Sequence, residues 1–523
     1  MSDSSVSSEP IILGLENELA ASVASPDKRA QVPHVLAVLL EVLRKNVPSV
    51  YCAEQAGPLP GLMLGSNGSR IYVDGLSYLE SATPEVRTPE EVLAYQRANE
   101  RLILRALSEA VPQCGLAAGD VRFSRIVTDY AIPPHYCGQH LNILMRRYSP
   151  DELVSFLVPF LVTRFYAAAG GWGSSGFVMT HKNPAVRCVA SPDTRENRGI
   201  MNLKNEPLGA PRLKRLHLTH SDALMSELGT YLTVGCTALV AKMLDDGVCV
   251  GPAFTLQDPL RALSQLDNDP TWTRPLRLRC GREASGLEIQ QHYLCAAERY
   301  TQRNGEPWMR AVTQHWRESC NALRRGPEHL ADSLDPYIKS RIYGRVLSKR
   351  GLSLGDFGLW CYALALIEPH LNGSALPRRT LREHLRSRLP MVSFMLLHDR
   401  MAKHSLQWDR LPEMHALLQT MKALDLQYHD ISEDGLYWRM RARGVCDSRI
   451  LSEGDIAAAM NALPKGTRAR ARGTAICEVW RDTQARANWM SVTSSKGTMQ
   501  LDDPFVCEGQ WVAPPKPEAQ KTA

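Results

Sequence analysis

The sequence predicts an α+β fold in which a large sheet-containing domain is followed by a small C-terminal domain. Three observations predict it. Apolar runs at residues 11–19 and 70–74 read as strands, the first carrying glutamates two residues apart. Thr88-Pro89-Glu90-Glu91 and Ser149-Pro150-Asp151-Glu152 are capping boxes with proline at the first helical position. Long helical stretches then dominate from residue 223 onwards.

In chain order, the Ser-rich residues 1–10 are expected to be disordered. The 11–19 strand follows, then a helix over 34–46 with Leu36, Leu39, Leu40 and Leu43 on one face. In the 70–74 strand, Tyr72 and Asp74 share one face and Ile71 and Val73 take the other. The capping boxes open helices running to about 110 and over 153–169. Further helices are expected over 223–244, 286–303 and 309–325, and 357–421 reads as helical. The boundaries are 11–425 for the large domain, 426–512 for the small one and 513–523 for a disordered tail. No internal repeat is present.

Composition narrows the function classes. A hydrophobic fraction of 44% with 22% charged residues is that of a globular protein. No apolar run approaches the roughly 18 residues of a membrane helix, and the Met1-Ser2-Asp3 start lacks a secretory signature. The 13 cysteines include no Cys-x-x-Cys pair, which points to reduced thiols in a cytoplasm. A net charge of +6 suits phosphate or acidic partners without demanding nucleic acid. Gly170-Gly171-Trp172-Gly173-Ser174-Ser175-Gly176 lacks the Gly-Lys-Ser/Thr of a phosphate loop, so it is expected to be a turn at the edge of a site.

Glu16 and Glu18 carry the first chemical signal. Residues two apart on a strand point to one side, and two such carboxylates repel unless a cation lies between them. A hard divalent ion, most often Mg²⁺ with nucleotide phosphates, is the usual solution. Alone, the pattern also fits an ordinary exposed strand face, and Asp74 alone fits a strand-end turn.

Several segments, taken together and in order, resemble the Pup ligase and Pup deamidase/depupylase family, relatives of glutamine synthetase and the carboxylate–amine ligases. Gly14-Leu15-Glu16-Asn17-Glu18 resembles the opening Gly-x-Glu-x-Glu. Asn67-Gly68-Ser69-Arg70-Ile71-Tyr72-Val73-Asp74 resembles the Asn-Gly-Ala-Arg-x-Tyr-x-Asp strand. Leu157 to Arg164, Arg198 to Asn202, Arg215-Leu216-His217, Leu424 to Asp430 and Thr467 to Gly473 continue the likeness to about residue 508. There are departures. His-Glu-Asn-Tyr becomes His140-Leu141-Asn142-Ile143, which removes a polar, metal-facing glutamate. Thr-Arg-Asp-Glu-Pro-His becomes Leu203-Lys204-Asn205-Glu206-Pro207-Leu208, and residues 359–421 look like an insertion.

The resemblance implies a glutamine-synthetase-like large domain with a curved antiparallel sheet packed by helices. It also implies an ATP- and Mg²⁺-dependent ligase. ATP would activate a glutamate carboxylate of a Pup-like or smaller glutamyl donor as an acyl phosphate, and a lysine amine would attack. Glu16, Glu18, Glu80 and His140 are then the metal-facing set, and Asp74 is the base in ligases or the nucleophile in hydrolases. Lys204, Arg215, His217, Arg468 and Arg472 are the nucleotide-facing set. No membrane or nucleic-acid partner is expected. The hydrolase branch carries a long loop between the first two strand motifs, whereas the 19–67 interval here is short and ligase-like. A hydrolase and a nucleotide-binding pseudoenzyme stay open as alternatives.

Overall fold

The computed structural model describes residues 10–54, 57–75, 78–146, 148–193, 196–203, 213–371 and 374–513. The expected disorder at 1–9 and 514–523 lies outside the described residues.

From the N-terminus come β1 (Ile12–Val23), α1 (Val32–Asn46), β2 (Ser49–Cys52), β3 (Leu62–Leu64), β4 (Arg70–Asp74) and β5 (Tyr78–Ala82). Next are α2 (Pro89–Gln113), β6 (Val121–Ser124), β7 (Gln139–Arg146) and α3 (Pro150–Val162). A hairpin of β8 (Gly171–Gly173) and β9 (Gly176–Val178) precedes β10 (Cys188–Ser191), β11 (Gly199–Asn202), β12 (Leu213–Leu218) and α4 (Glu227–Asp245). The second half is helical. It runs through α5 (Pro259–Leu266), the hairpin β13 (Pro275–Arg277) and β14 (Glu283–Ser285), α6 (Gly286–Asn304), α7 (Pro307–Arg325) and α8 (Asp335–Ser348). It continues with α9 (Leu354–Leu364), α10 (Leu381–Arg388), α11 (Met391–Lys403) and α12 (Leu411–Tyr428). The chain closes with α13 (Leu436–Ala442), α14 (Glu453–Ala459), α15 (Arg468–Val479), β15 (Arg486–Ala487), β16 (Ser491–Ser494) and β17 (Gly497–Gln500).

The α+β class is what the chain adopts. Thirteen strands form one sheet, in the order β10-β11-β12-β7-β1-β5-β4-β3-β2-β15-β16-β17, with β6 beside β1. All pairings are antiparallel except β10 with β11 and β15 with β2. β1 is the spine. It pairs with β5 on one side, and with β7 and then β6 on the other. Its apolar side, with Leu13, Leu15 and Leu19, is buried, as is the packed face of α1 with Leu36, Leu39, Leu40 and Leu43. α2 packs on β1, and α4 packs on β7.

Both capping boxes form. The Thr88 and Ser149 hydroxyls accept the Glu91 and Glu152 amides, and the two glutamates accept in return. Two helix limits differ from the sequence reading. α3 stops at Val162, not 169, because the Thr163 hydroxyl turns back onto the Pro159 and Phe160 carbonyls. α4 starts at Glu227, not 223, because Ser226 caps it and Asp335 takes the Met225 and Ser226 amides. The 357–421 stretch contributes to a core of its own, which includes Phe357, Leu385, Leu397 and Leu411. No helix among the described residues is long and apolar enough to cross a membrane.

The C-terminal strands join the same sheet through β15 and β2, and α15 is tied to the loop after β5. Arg468 Nε and Arg472 Nη2 contact the Glu85 carboxylate at 2.8 and 2.6 Å. Burial raises the Glu85 carboxyl, but Arg472 and Arg468 outweigh it and hold it down at about 2. Because the folded value lies below the unfolded one of about 4.3, the stabilisation is complete above the unfolded range and is lost as pH falls towards 2. Glu85→Ala leaves two buried guanidinium groups uncompensated, a loss of about 3–5 kcal/mol. In chemical denaturation, the gap between wild type and Glu85→Ala should be full at pH 7 and shrink below pH 4.

Candidate functional site

Strand register builds the site. Glu16 lies opposite His140, Glu18 opposite Glu80, and Glu80 opposite Tyr72. One strand further, His217 lies opposite Asn142 and Arg215 opposite Leu144. Opposed residues share a sheet face, so one face collects all of these side chains while the alternate residues enter the core.

Two clusters of ligand-capable groups result. One atom each of Glu16, His140 and His217 lie within 4.8 Å of one another, and the same holds for Glu18, Asp74 and Glu80. Glu16 Oε2 is 3.4 Å from His217 Nε2 and 3.6 Å from His140 Nδ1, and Arg215 Nη1 is 3.7 Å from Glu16 Oε1. Burial raises the Glu16 carboxyl, but His140, His217 and Arg215 more than offset that and hold it well below the usual carboxylate range. Glu80 is displaced the other way. Burial, then the charges of Glu16 and Glu18, push it well above that range. Burial lowers His217 against the pull of Glu16. Four acidic groups on adjoining pleats, one of them held towards its neutral form, make a donor set suited to hard divalent cations.

A cavity of about 80 Å³ lies over the same face. Gly14, Glu16, Asn142, Arg215, Arg468 and Trp489 are among its lining residues. Of the sequence-predicted nucleotide set, His217 belongs to the first cluster and Arg215 and Arg468 border the cavity. Arg472 does not. It is fully buried, and its two terminal nitrogens are spent on Glu85 and on the Gly68 and Trp489 carbonyls. Its position is that of a brace holding Glu85. Lys204 lies outside the described residues, as does the rest of its motif after Leu203. The glycine-rich 170–176 segment is the β8–β9 hairpin, and Gly176 abuts Gly358 of α9.

Leu141 lies on the opposite side from His140 and Asn142 and is buried at 1% exposure. Position 141 therefore belongs to the core, and replacing the family's glutamate there removes no group from the acidic face.

Sequence reasoning missed Lys182. Its Nζ donates to the Thr219 carbonyl at 2.7 Å and is fully buried behind Gly138. Burial and Arg198 pull the ammonium down to about 8, opposed by Glu18 and Asp222. No motif marks it, because long-range folding brings it to the strand ends. Trp489 was missed for the same reason, since it reaches the cavity only through the β15–β2 pairing.

Comparison with known proteins follows from this geometry. The family model described as Pup-ligase protein matches residues 15–368 and 383–493, so it covers most of the 359–421 stretch and leaves out 369–382. A Pup–protein ligase of Acidimicrobium ferrooxidans is 32% identical over 468 residues, covering 85% of this chain and 87% of its own. A depupylase of Acidothermus cellulolyticus is 30% identical over 468 residues, covering 86% and 78%. The crystal structure of the Pup ligase PafA in complex with Pup superposes with a TM-score of 0.71 at 21% identity, covering 95% of this chain and 90% of that one.

Two outcomes test the site. Glu80→Gln removes a carboxyl that its neighbours already disfavour, so without metal it should be neutral or stabilising by about 1 kcal/mol. It should also abolish any rise in melting temperature caused by Mg²⁺, as read by calorimetry. Gly138→Ala would set a Cβ 1.9 Å from Lys182 Nζ and 3.0 Å from His140 Nε2. It should cost about 1–3 kcal/mol by overpacking, as read by chemical denaturation.

Proposed function

This chain belongs to the Pup-ligase family, and on that footing we propose that it is an ATP- and Mg²⁺-dependent carboxylate–amine ligase. It activates a glutamate carboxylate of a Pup-like donor as an acyl phosphate and joins it to a lysine amine. One observation carries the reading: the two clusters, Glu16/His140/His217 and Glu18/Asp74/Glu80, sit side by side on one sheet face beside an arginine-bordered cavity.

The residues divide the work by their chemistry. Glu16, Glu18, Glu80, His140 and His217 would hold Mg²⁺, which when bound offsets phosphate charge and aligns the transferring group. Arg215 and Arg468, at the cavity wall, would neutralise phosphate oxygens. The flat face of Trp489 offers a stacking surface for a nucleobase. Asp74, at the end of β4, would take the proton from the attacking ammonium, whose reference pKa is about 10.4.

The ligase direction is supported by the 19–67 interval. After β1 it is occupied by α1, β2 and β3, without the extended loop of the hydrolase branch. The depupylase relative gives the alternative, hydrolysis of the same amide, with Asp74 as nucleophile.

Asp74→Asn keeps the shape and removes the base. We expect it to bind ATP as wild type does in calorimetry and to lose turnover by about 10²–10⁴-fold. Wild-type protein should release phosphate only when ATP, Mg²⁺, donor and amine are all present. Cleavage of a preformed isopeptide without ligation would assign the chain to the hydrolase branch. Asp74→Asn with unchanged turnover would refute the role given to Asp74.

A further inference from the structure

Apart from the site, the most unusual surface lies on the helices after residue 354. Six of the ten large apolar side chains exposed among the described residues are there: Leu359 and Tyr362 on α9, and Met391, Val392, Met395 and Leu396 on α11. The α11 residues are 47–69% exposed, far beyond what isolated surface apolar residues require. They fall at i, i+1, i+4 and i+5, one stripe of a helix. The inner stripe of α11, with Leu397 and Met401, is buried, so the helix is fixed in place, and its outer stripe is uncovered by any of the described residues. Arg400 of α11 stacks on the Tyr362 ring and donates to the Tyr362 carbonyl, which joins the two helices into one face.

Charge identifies what fits this face. Residues 376–410 hold eight Lys/Arg and three Asp/Glu, a local excess of +5 in a chain whose total is +6. Arg378, Arg379, Arg382, Arg386, Arg388 and Lys403 are exposed, and α10 packs beside α11. A second copy of this chain would bring the same cations against them, so self-association is disfavoured. Membrane-inserting faces favour Trp, Phe and Leu. Here the centre is Met391 and Met395, flexible side chains that suit recognition of a peptide helix.

We propose that the α9–α11 face docks an acidic amphipathic helix of a protein partner. The apolar side of that helix would lie on Met391, Val392, Met395 and Leu396, and its carboxylates would meet the arginines of α10. The probe is a fluorescein-labelled designed helix with leucine on one face and glutamate on the others, titrated into the full chain by anisotropy. Wild type should bind it, more weakly as salt rises. Met391→Glu/Met395→Glu and, separately, Arg382→Glu/Arg386→Glu should each weaken binding by about tenfold or more, equivalent to about 1.4 kcal/mol. The melting temperature should not change for Met391→Glu/Met395→Glu, whose side chains are exposed, and should fall only slightly for Arg382→Glu/Arg386→Glu, which gives up the Arg382 stack on Trp408. Several results would overturn the proposal: no binding by wild type, equal binding by both variants, or equal binding of a lysine-faced version of the probe. So would flotation with phosphatidylserine vesicles, or a dimer in sedimentation, that the Met391→Glu/Met395→Glu variant abolishes.

Discussion

Repulsion among carboxylates on the sheet face around β1 is the constraint that orders the rest of this structure. Glu16 and Glu18 come from one strand, and Glu80 and Asp74 are brought to them by β5 and β4. Nothing within that acidic group relieves the crowding. The histidines and Arg215 relieve it from the β7–β12 side and hold Glu16 low, while burial, reinforced by the charges of Glu16 and Glu18, drives Glu80 towards neutrality. The sheet thus keeps two unlike halves, one in which a carboxylate has imidazole and guanidinium neighbours and one made of carboxylates alone. An arrangement of that kind is stable only if the framework cannot relax, and it is poised to gain when a cation enters.

The framework is rigid for identifiable reasons. Each acidic residue has a buried apolar neighbour in its strand, so turning a carboxylate away would pull Leu15, Leu19, Val73 or Leu79 out of the core. A one-residue slip in register would move the whole set to the wrong face. Behind the site, Lys339 Nζ contacts Asp425, His429 and the Gly170 carbonyl at 2.6, 2.8 and 2.8 Å. The Tyr130 and Tyr343 hydroxyls donate to the same Asp425 carboxylate. This buried network joins α8 and α12 to the segments carrying Tyr130 and His181, the neighbour of Lys182. Asp425 accepts from three donors at once, so the network ties these segments to a single buried carboxylate.

What could be read from the sequence follows the same division. Glu16, Glu18, Asp74 and Glu80 were legible because strand alternation is a local rule and the motifs carry fixed spacing. His140 and His217 were legible through their motifs alone, since a lone histidine has no period. Helix starts at 89 and 150 were legible because a capping box is built within four residues. The start of α4 was not, because Asp335 acts from a distant segment, and the end of α3 was not, because a threonine bonding back one turn occurs inside helices as well as at their ends. Lys182, Trp489 and the bracing role of Arg472 depend on pairings between distant segments. Arginine in a basic run looks the same whether it faces a ligand or a buried glutamate.

The departures from the family pattern can be weighed by side-chain direction. A loss matters to chemistry only where the position faces the acidic pleats. Position 141 does not, because the strand that aims His140 and Asn142 at the site must aim 141 at the helices. Leucine there is the residue that a core position favours, and it strengthens the packing that holds His140 in place. The substitution that elsewhere would argue for a disabled enzyme is therefore, on this sheet, consistent with an intact one. The acidic and imidazole groups of the two clusters lie on the face that Leu141 turns away from.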